Sequence, residues 1–219
     1  MIDLQTVKQG DHIFSITDEA RKITTAFDFL KIGLDKNEAV MLISELDKDM
    51  VRETISREWH VEIDSLEANR HIILKTPEEV LFGDGAFQTN SGPSSFWEDW
   101  ANSSLENGKV GLRIFIDVSP MINAGLENQV LKFESTLEKK FDFPCTIVCA
   151  YSPENMQKFG SHGVEILKNH HNVIWYDKDD NLSSGEVEGK RTCKTCGKKF
   201  ETNSDELYCS FECAYNFSK

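Results

Sequence analysis

The chain has 219 residues, 39% of them hydrophobic and 28% charged, which is the balance of a globular protein and, at this length, of one or two domains. No apolar run reaches the roughly 18 residues that a membrane-spanning helix needs, and the formal net charge of −13 sets a broad negative field against nonspecific contact with nucleic acid or anionic lipid. The opening MIDLQTVKQGDHIF lacks a basic segment followed by an apolar one, so a cytoplasmic protein without a signal peptide is expected, and there six cysteines read as metal ligands or core residues before disulfides.

In chain order, 12–17 (HIFSIT) predicts a first strand. Asp18 then caps a helix with Ile23, Phe27, Leu30 and Leu34 at helical spacing. Residues 39–44 (AVMLIS) form a continuous apolar second strand, and Asp47 caps a helix running to about Trp59. A third strand falls at 71–74. The stretch 76–93 contains Gly83, Gly85 and Gly92 and little apolar periodicity, so it reads as a long loop, either a lid over a site or a surface insertion. A helix over about 94–107 places Phe96, Trp97 and Trp100 at core spacing. Residues 112–118 (LRIFIDV) are a fourth strand, and Val130, Phe133, Leu137 and Phe141 mark a long helix. Residues 145–151 (CTIVCAY) are a fifth strand, Pro153 opens another helix, and 173–176 is a sixth strand. From 177 to 190 the chain is polar, with serines and glycines, and reads as a flexible linker.

Apolar strands without polar alternation, separated by helices, predict an α/β fold with a mainly parallel sheet covered on both faces. Such sheets bind ligands at the carboxyl ends of their strands. Here those ends carry Thr17, Ser44, Glu45, Lys75, Thr76, Asp117 and Tyr151. The expected domains are the α/β unit over 1–176, a linker over 177–191 and a cysteine-rich module over 192–219.

In that module Cys193 and Cys196 are separated by two residues, and Cys209 and Cys213 by three. The first spacing lets one turn aim both sulfurs at a single ion, and Gly197 relieves the backbone after it. The second spacing puts both sulfurs on one side of a helix start. Four thiolates suit tetrahedral Zn²⁺, and Lys194, Lys198 and Lys199 offset the net charge of such a site. A segment this short cannot bury a core, so the metal would supply its folding energy. Redox-active dithiols would need a CxxC opening a helix in a thioredoxin-like setting, which the sequence lacks. CKTCG at 193–197 with YCSFEC at 208–213 resembles the treble-clef fingers of the TRASH, FCS and MYM type. TRASH modules are credited with heavy-metal sensing, on three cysteines and a longer spacing. The tighter loop and four thiols here imply a closed structural zinc site instead.

Over about residues 8–176 the chain resembles the MEDS domain, a sensory module of methanogens and methylotrophs. The resemblance is carried by Gly10-Asp11-His12-Ile13 entering the first strand and by Gly33-Leu34 before the second. It continues with Glu134 on a helix ahead of Pro144 and Cys149-Ala150-Tyr151, and ends at His170-His171-Asn172-Val173-Ile174. It implies a RecA-like fold, akin to the circadian-clock ATPases but without their phosphate loop, and a role in sensing a ligand or signal. The sequence agrees on the missing loop, since no GxxxxGK[ST] string occurs in it. Asp117 has the look of a Walker B aspartate, but without the loop it reads as a strand-terminal polar group.

Candidate ligand-binding residues are therefore His12, Ser44, Glu45, Asp117, Glu134 and Tyr151. For His12 a hydrogen-bonded structural histidine is an equal reading, and for Glu134 a solvated helix face is the commoner one. Cys145 and Cys149 share one side of their strand and read as small core residues. His170 and His171 are adjacent and are not expected to form a joint metal site. No catalytic set can be assembled, so the expected protein is a cytoplasmic, non-catalytic sensor or regulator. Its α/β domain would bind a small molecule or a protein partner, and its zinc finger would serve as an interaction module. Two alternatives stand beside it. One is a nucleic-acid-linked regulator acting through the finger, with the basic residues of 190–199 on phosphate. The other is a degenerate nucleotide-binding enzyme.

Overall fold

The computed structural model describes residues 4–82, 93–177, 179–187, 190–192, 195–196, 199–201 and 213. Seven strands form one sheet: β1 (His12–Ile16), β2 (Ala39–Ile43), β3 (Ile72–Lys75), β4 (Leu112–Asp117), β5 (Cys145–Tyr151), β6 (Asn172–Tyr176) and β7 (Leu182–Glu186). Their order is β3-β2-β4-β5-β1-β6-β7. All neighbours are parallel except the antiparallel β6–β7 pair. A separate two-stranded ribbon joins β8 (Lys190–Thr192) to β9 (Lys199–Glu201). The α/β class and the mainly parallel sheet expected from the apolar strands are both present.

The strands look continuously apolar because each side-chain row meets a helical layer. On one face Phe14, Met41, Ile114, Ile147 and Val173 pack with Trp97, Phe133, Met156 and Ile166. These last four come from α4 (Pro93–Glu106), α6 (Glu127–Thr136), α7 (Pro153–Phe159) and α8 (Gly163–Lys168). On the other face Ile13, Val40, Leu42, Phe115, Val148 and Ile174 pack with Phe29, Leu30, Val51 and Ile55. Those side chains come from α1 (Glu19–Asp35) and α2 (Lys48–Trp59), with α3 (Ile63–Ala68) following. The short α5 (Ser119–Asn123) completes the set. The helix starts follow their caps: Asp18 accepts from the Arg21 amide, Asp47 from Met50, and Ser152 from Asn155.

Four expectations change. The buried stripe of α1 is Lys22, Thr25, Ala26, Phe29, Leu30 and Gly33, while Ile23 is exposed. Phe29 and Leu30 supply the apolar bulk of that stripe, and Gly33 lets the end of the helix come close to the sheet. An added Cβ at Gly33 would sit 2.7 Å from Arg113 Cδ, so the close approach needs glycine there. Phe27 instead packs edge-on against Trp59 of α2, ring centroids 6.2 Å apart. The long helix expected through Phe141 is α6 alone. It stops at Thr136 because Leu137 turns to extended backbone, and the Phe141 amide then donates to Gly10 O at 2.8 Å. The segment read as a linker supplies β7, and Val187 is buried with its amide on His171 O at 2.8 Å. The helix face of Glu134 is not solvated, since that side chain is fully buried. Of the long loop, 83–92 lies outside the described residues, and Glu78–Phe82 before it is a helical turn.

Candidate functional site

Four segments bring titratable side chains to one point under α6. β1 contributes His12 and β5 contributes Cys149 and Tyr151. Glu134 comes from α6, and His170 from the turn between α8 and β6. The strands are parallel neighbours with His12 opposite Ile147. Alternation along β5 therefore keeps Cys149 and Tyr151 on the same face as His12. All five residues are fully buried. His12 Nε2 lies 3.5 Å from Cys149 Sγ and 3.6 Å from Glu134 Oε2. His170 Nε2 lies 3.4 Å from Glu134 Oε2, and the two imidazole centroids are 3.9 Å apart. The Tyr151 hydroxyl donates to Glu134 Oε1, and its ring stacks on Phe14 at 4.9 Å.

Burial governs the charge states. It pulls His12 down to about 4 and pushes Glu134 up to about 7, although hydrogen bonds from Tyr151 and Cys149 favour the Glu134 carboxylate. Burial raises the Cys149 thiol and the Tyr151 phenol, and nearby Glu134 raises both further. It lowers His170, and His12 adds to that shift. Both imidazoles are therefore neutral at pH 7. Each has its Nδ1 against a backbone carbonyl, His12 on Asn169 O at 3.1 Å and His170 on Ile166 O at 2.8 Å. Those contacts place the ring proton on Nδ1 and leave the Nε2 lone pairs aimed inward. Among the described residues, His12, Glu134, Cys149 and His170 form the group able to hold a metal ion.

Of the six candidate ligand residues, His12, Glu134 and Tyr151 meet in this cluster, on a sheet face rather than at the strand ends. Ser44, Glu45 and Asp117 do not join it. Ser44 is buried, with its Oγ 3.4 Å from the Leu46 amide, and Glu45 is exposed. Asp117 is the last residue of β4, and its Oδ1 accepts from Lys22 Nζ at 2.9 Å and from the Ser119 amide at 3.0 Å. Lys22 also donates to Ser119 Oγ at 2.6 Å and to Glu19 at 2.8 Å. Ser119 Oγ in turn donates to Asn155. Only Thr17 and Asp18 separate β1 from α1.

Cys149, His170 and Lys22 were not foreseen in these roles. Cys149 and Tyr151 alternate on a strand whose face also receives His12, which is a usable signal, whereas nothing near His170 in sequence points to Glu134. His171 diverges from His170, its Nε2 lying 3.9 Å from Asp11 Oδ1. Of the four tail cysteines, Cys193 and Cys209 lie outside the described residues. Cys196 is exposed and Cys213 half-buried, and Thr195 Oγ1 donates to Cys213 O at 2.7 Å.

The profile described as MEDS, "MEthanogen/methylotroph, DcmR Sensory domain", matches residues 11–172. The chain belongs to the MEDS family. The match spans β1 to the start of β6 and includes all five cluster residues. Among solved structures, a KaiC-like protein of the hyperthermophilic archaeon Pyrococcus horikoshii OT3 is 14% identical, covering 88% of this chain and 85% of its own, with a TM-score of 0.50. The flagellar accessory protein FlaH of Methanocaldococcus jannaschii is 13% identical, covering 92% and 83%, with a TM-score of 0.46. The first likeness agrees with a RecA-like fold for this MEDS chain. No curated protein is significantly similar to it. No helix among the described residues is long and apolar enough to cross a membrane.

Proposed function

We propose that this MEDS chain is a cytoplasmic, non-catalytic sensor or regulator whose α/β domain binds a small molecule or a protein partner. In this reading the tail, folded around zinc on Cys193, Cys196, Cys209 and Cys213, is the interaction module. The observation that carries the non-catalytic part is the Lys22–Asp117 pair. A nucleotide-hydrolysing site of this architecture needs a phosphate cradle of backbone amides, a lysine on the phosphates and an aspartate on Mg²⁺. Here the connector after β1 has two residues, and the buried lysine reaches the aspartate itself at 2.9 Å. Support for the tail reading comes from the β8–β9 ribbon, which brackets Cys193 and Cys196, and from the Thr195 contact that ties the first knuckle to Cys213.

The test is thermal unfolding of the full chain with ATP and Mg²⁺, against the same titration with candidate small molecules. A ligand at a hundred times its Kd stabilises by about 2.7 kcal/mol, which for a domain of this size raises Tm by roughly 5–10 °C. No shift is expected with nucleotides. A saturable rise of that size with ATP and Mg²⁺ would refute the reading.

A further inference from the structure

The cluster under α6 has the shape, chemistry and charge of a closed metal site. One nitrogen of each histidine, a carboxylate oxygen of Glu134 and Cys149 Sγ all lie within 4.8 Å of one another. Three of the six edges measure 3.4, 3.5 and 3.6 Å. A tetrahedral ion with bonds of about 2.0–2.2 Å to nitrogen or oxygen and about 2.3 Å to sulfur has ligand–ligand edges of roughly 3.3–3.8 Å. We propose that His12, Glu134, Cys149 and His170 hold a single divalent transition-metal ion of the zinc type in a closed four-coordinate site. This goes beyond the sensory reading and does not depend on it.

Three further observations support the site. The first is orientation. Both Nδ1 atoms are fixed on backbone carbonyls, and the Tyr151 hydroxyl holds the other Glu134 oxygen, the outer support that metal-ligating imidazoles and carboxylates ordinarily have. The second is charge. One carboxylate and one thiolate cancel a divalent ion, so the loaded centre is neutral in a fully buried place where net charge is costly. The third is an unmet requirement. Glu134 Oε2 and His170 Nε2 are buried and have no hydrogen-bond partner. A metal-free core would need a proton between these two atoms, yet at 3.4 Å they fall outside hydrogen-bond geometry. An ion between them satisfies both. Thiolate with imidazole selects the zinc class over magnesium or calcium, and four protein ligands leave no open position for a substrate. The ion would pin β1, β5, α6 and the turn before β6 to one another.

The experiment is zinc counting and zinc X-ray absorption on the full chain, after zinc loading and dialysis against a weak chelator. An ion in the tail alone would show only sulfur neighbours, because its ligands would be four thiolates. The proposal expects an added nitrogen/oxygen shell at about 2.0–2.1 Å. Cys149→Ser and His170→Gln should each lose that shell and one equivalent of zinc, while Glu134→Gln should bind at least tenfold more weakly. A sulfur-only shell in the unaltered chain overturns the proposal and requires no variant to fold. A nitrogen/oxygen shell that persists at full occupancy in folded His170→Gln overturns it as well. Neither result bears on the nucleotide titration that tests the sensory reading.

Discussion

Lys22 shows how one side chain redefines a site. It is 2% exposed and touches Asp117, Glu19 and Ser119. A buried ammonium is stable only when its charge is answered and its protons are accepted, and here three acceptors do this. Lys22→Ala leaves the Asp117 carboxylate under α1 without its cation, so a loss of about 3–5 kcal/mol is expected in urea unfolding. The paired change Lys22→Met with Asp117→Asn should recover more than half of that loss, because no uncompensated charge remains. Equal losses in the single and double variants would mean that packing of the lysine stem, not its charge, matters. The lysine could not be recognised from the sequence. It lies one position before Ile23 on a helix whose apolar residues suggested a different buried stripe, and its partner is 95 residues away. His170 was obscured for the same reason, since a buried polar residue is explained by partners that only the fold supplies.

At the scale of elements, the strands of the parallel sheet were legible because both of their faces are apolar, a signal that is local and contiguous. Two caps were legible for the same reason, as Asp18 and Asp47 act within three residues of themselves. Two boundaries were not. The apolar period beyond α6 continues through Leu137 and Phe141, but the backbone leaves the helix to pair Lys140 with Asp11, and that pairing is long-range. β7 reads LSSGE, a polar string that suits an edge strand and gives no apolar signal. Packing of α1 yields a prediction of its own. Alanine ordinarily stabilises a helix over glycine by about 0.5–1 kcal/mol. At Gly33 the new methyl would meet Arg113 Cδ at 2.7 Å and Val40 Cγ1 at 3.0 Å. Arg113 cannot easily retreat, because it is buried and bonded through Nε to Glu38 at 2.5 Å. Gly33→Ala should therefore destabilise, by about 1–3 kcal/mol, and a gain in the denaturation midpoint would show that the Arg113–Glu38 pair is free to move.

At the scale of the whole molecule, the α/β unit extends past Tyr176 to Val187, and this can be tested by where the chain is cut. A protein ending at residue 191 keeps β7 and Val187, and its Tm should match the full chain to within about 2 °C. Ending at 176 strips the outer edge of β6 and the buried valine, a loss on the order of 5–10 °C. Equal losses for both cuts would instead place the stabilising contacts in the cysteine-rich tail. The sheet order has a consequence for biosynthesis. β1 is made first, yet both of its neighbours, β5 and β6, are the last of the parallel strands to be made. At 5–20 residues per second, the 129 residues from 16 to 145 take roughly 6–26 s to emerge. For that interval an apolar strand waits without a partner on the ribosome, which makes the nascent chain a natural client for chaperones and leaves any prematurely terminated product with that interior strand unpaired.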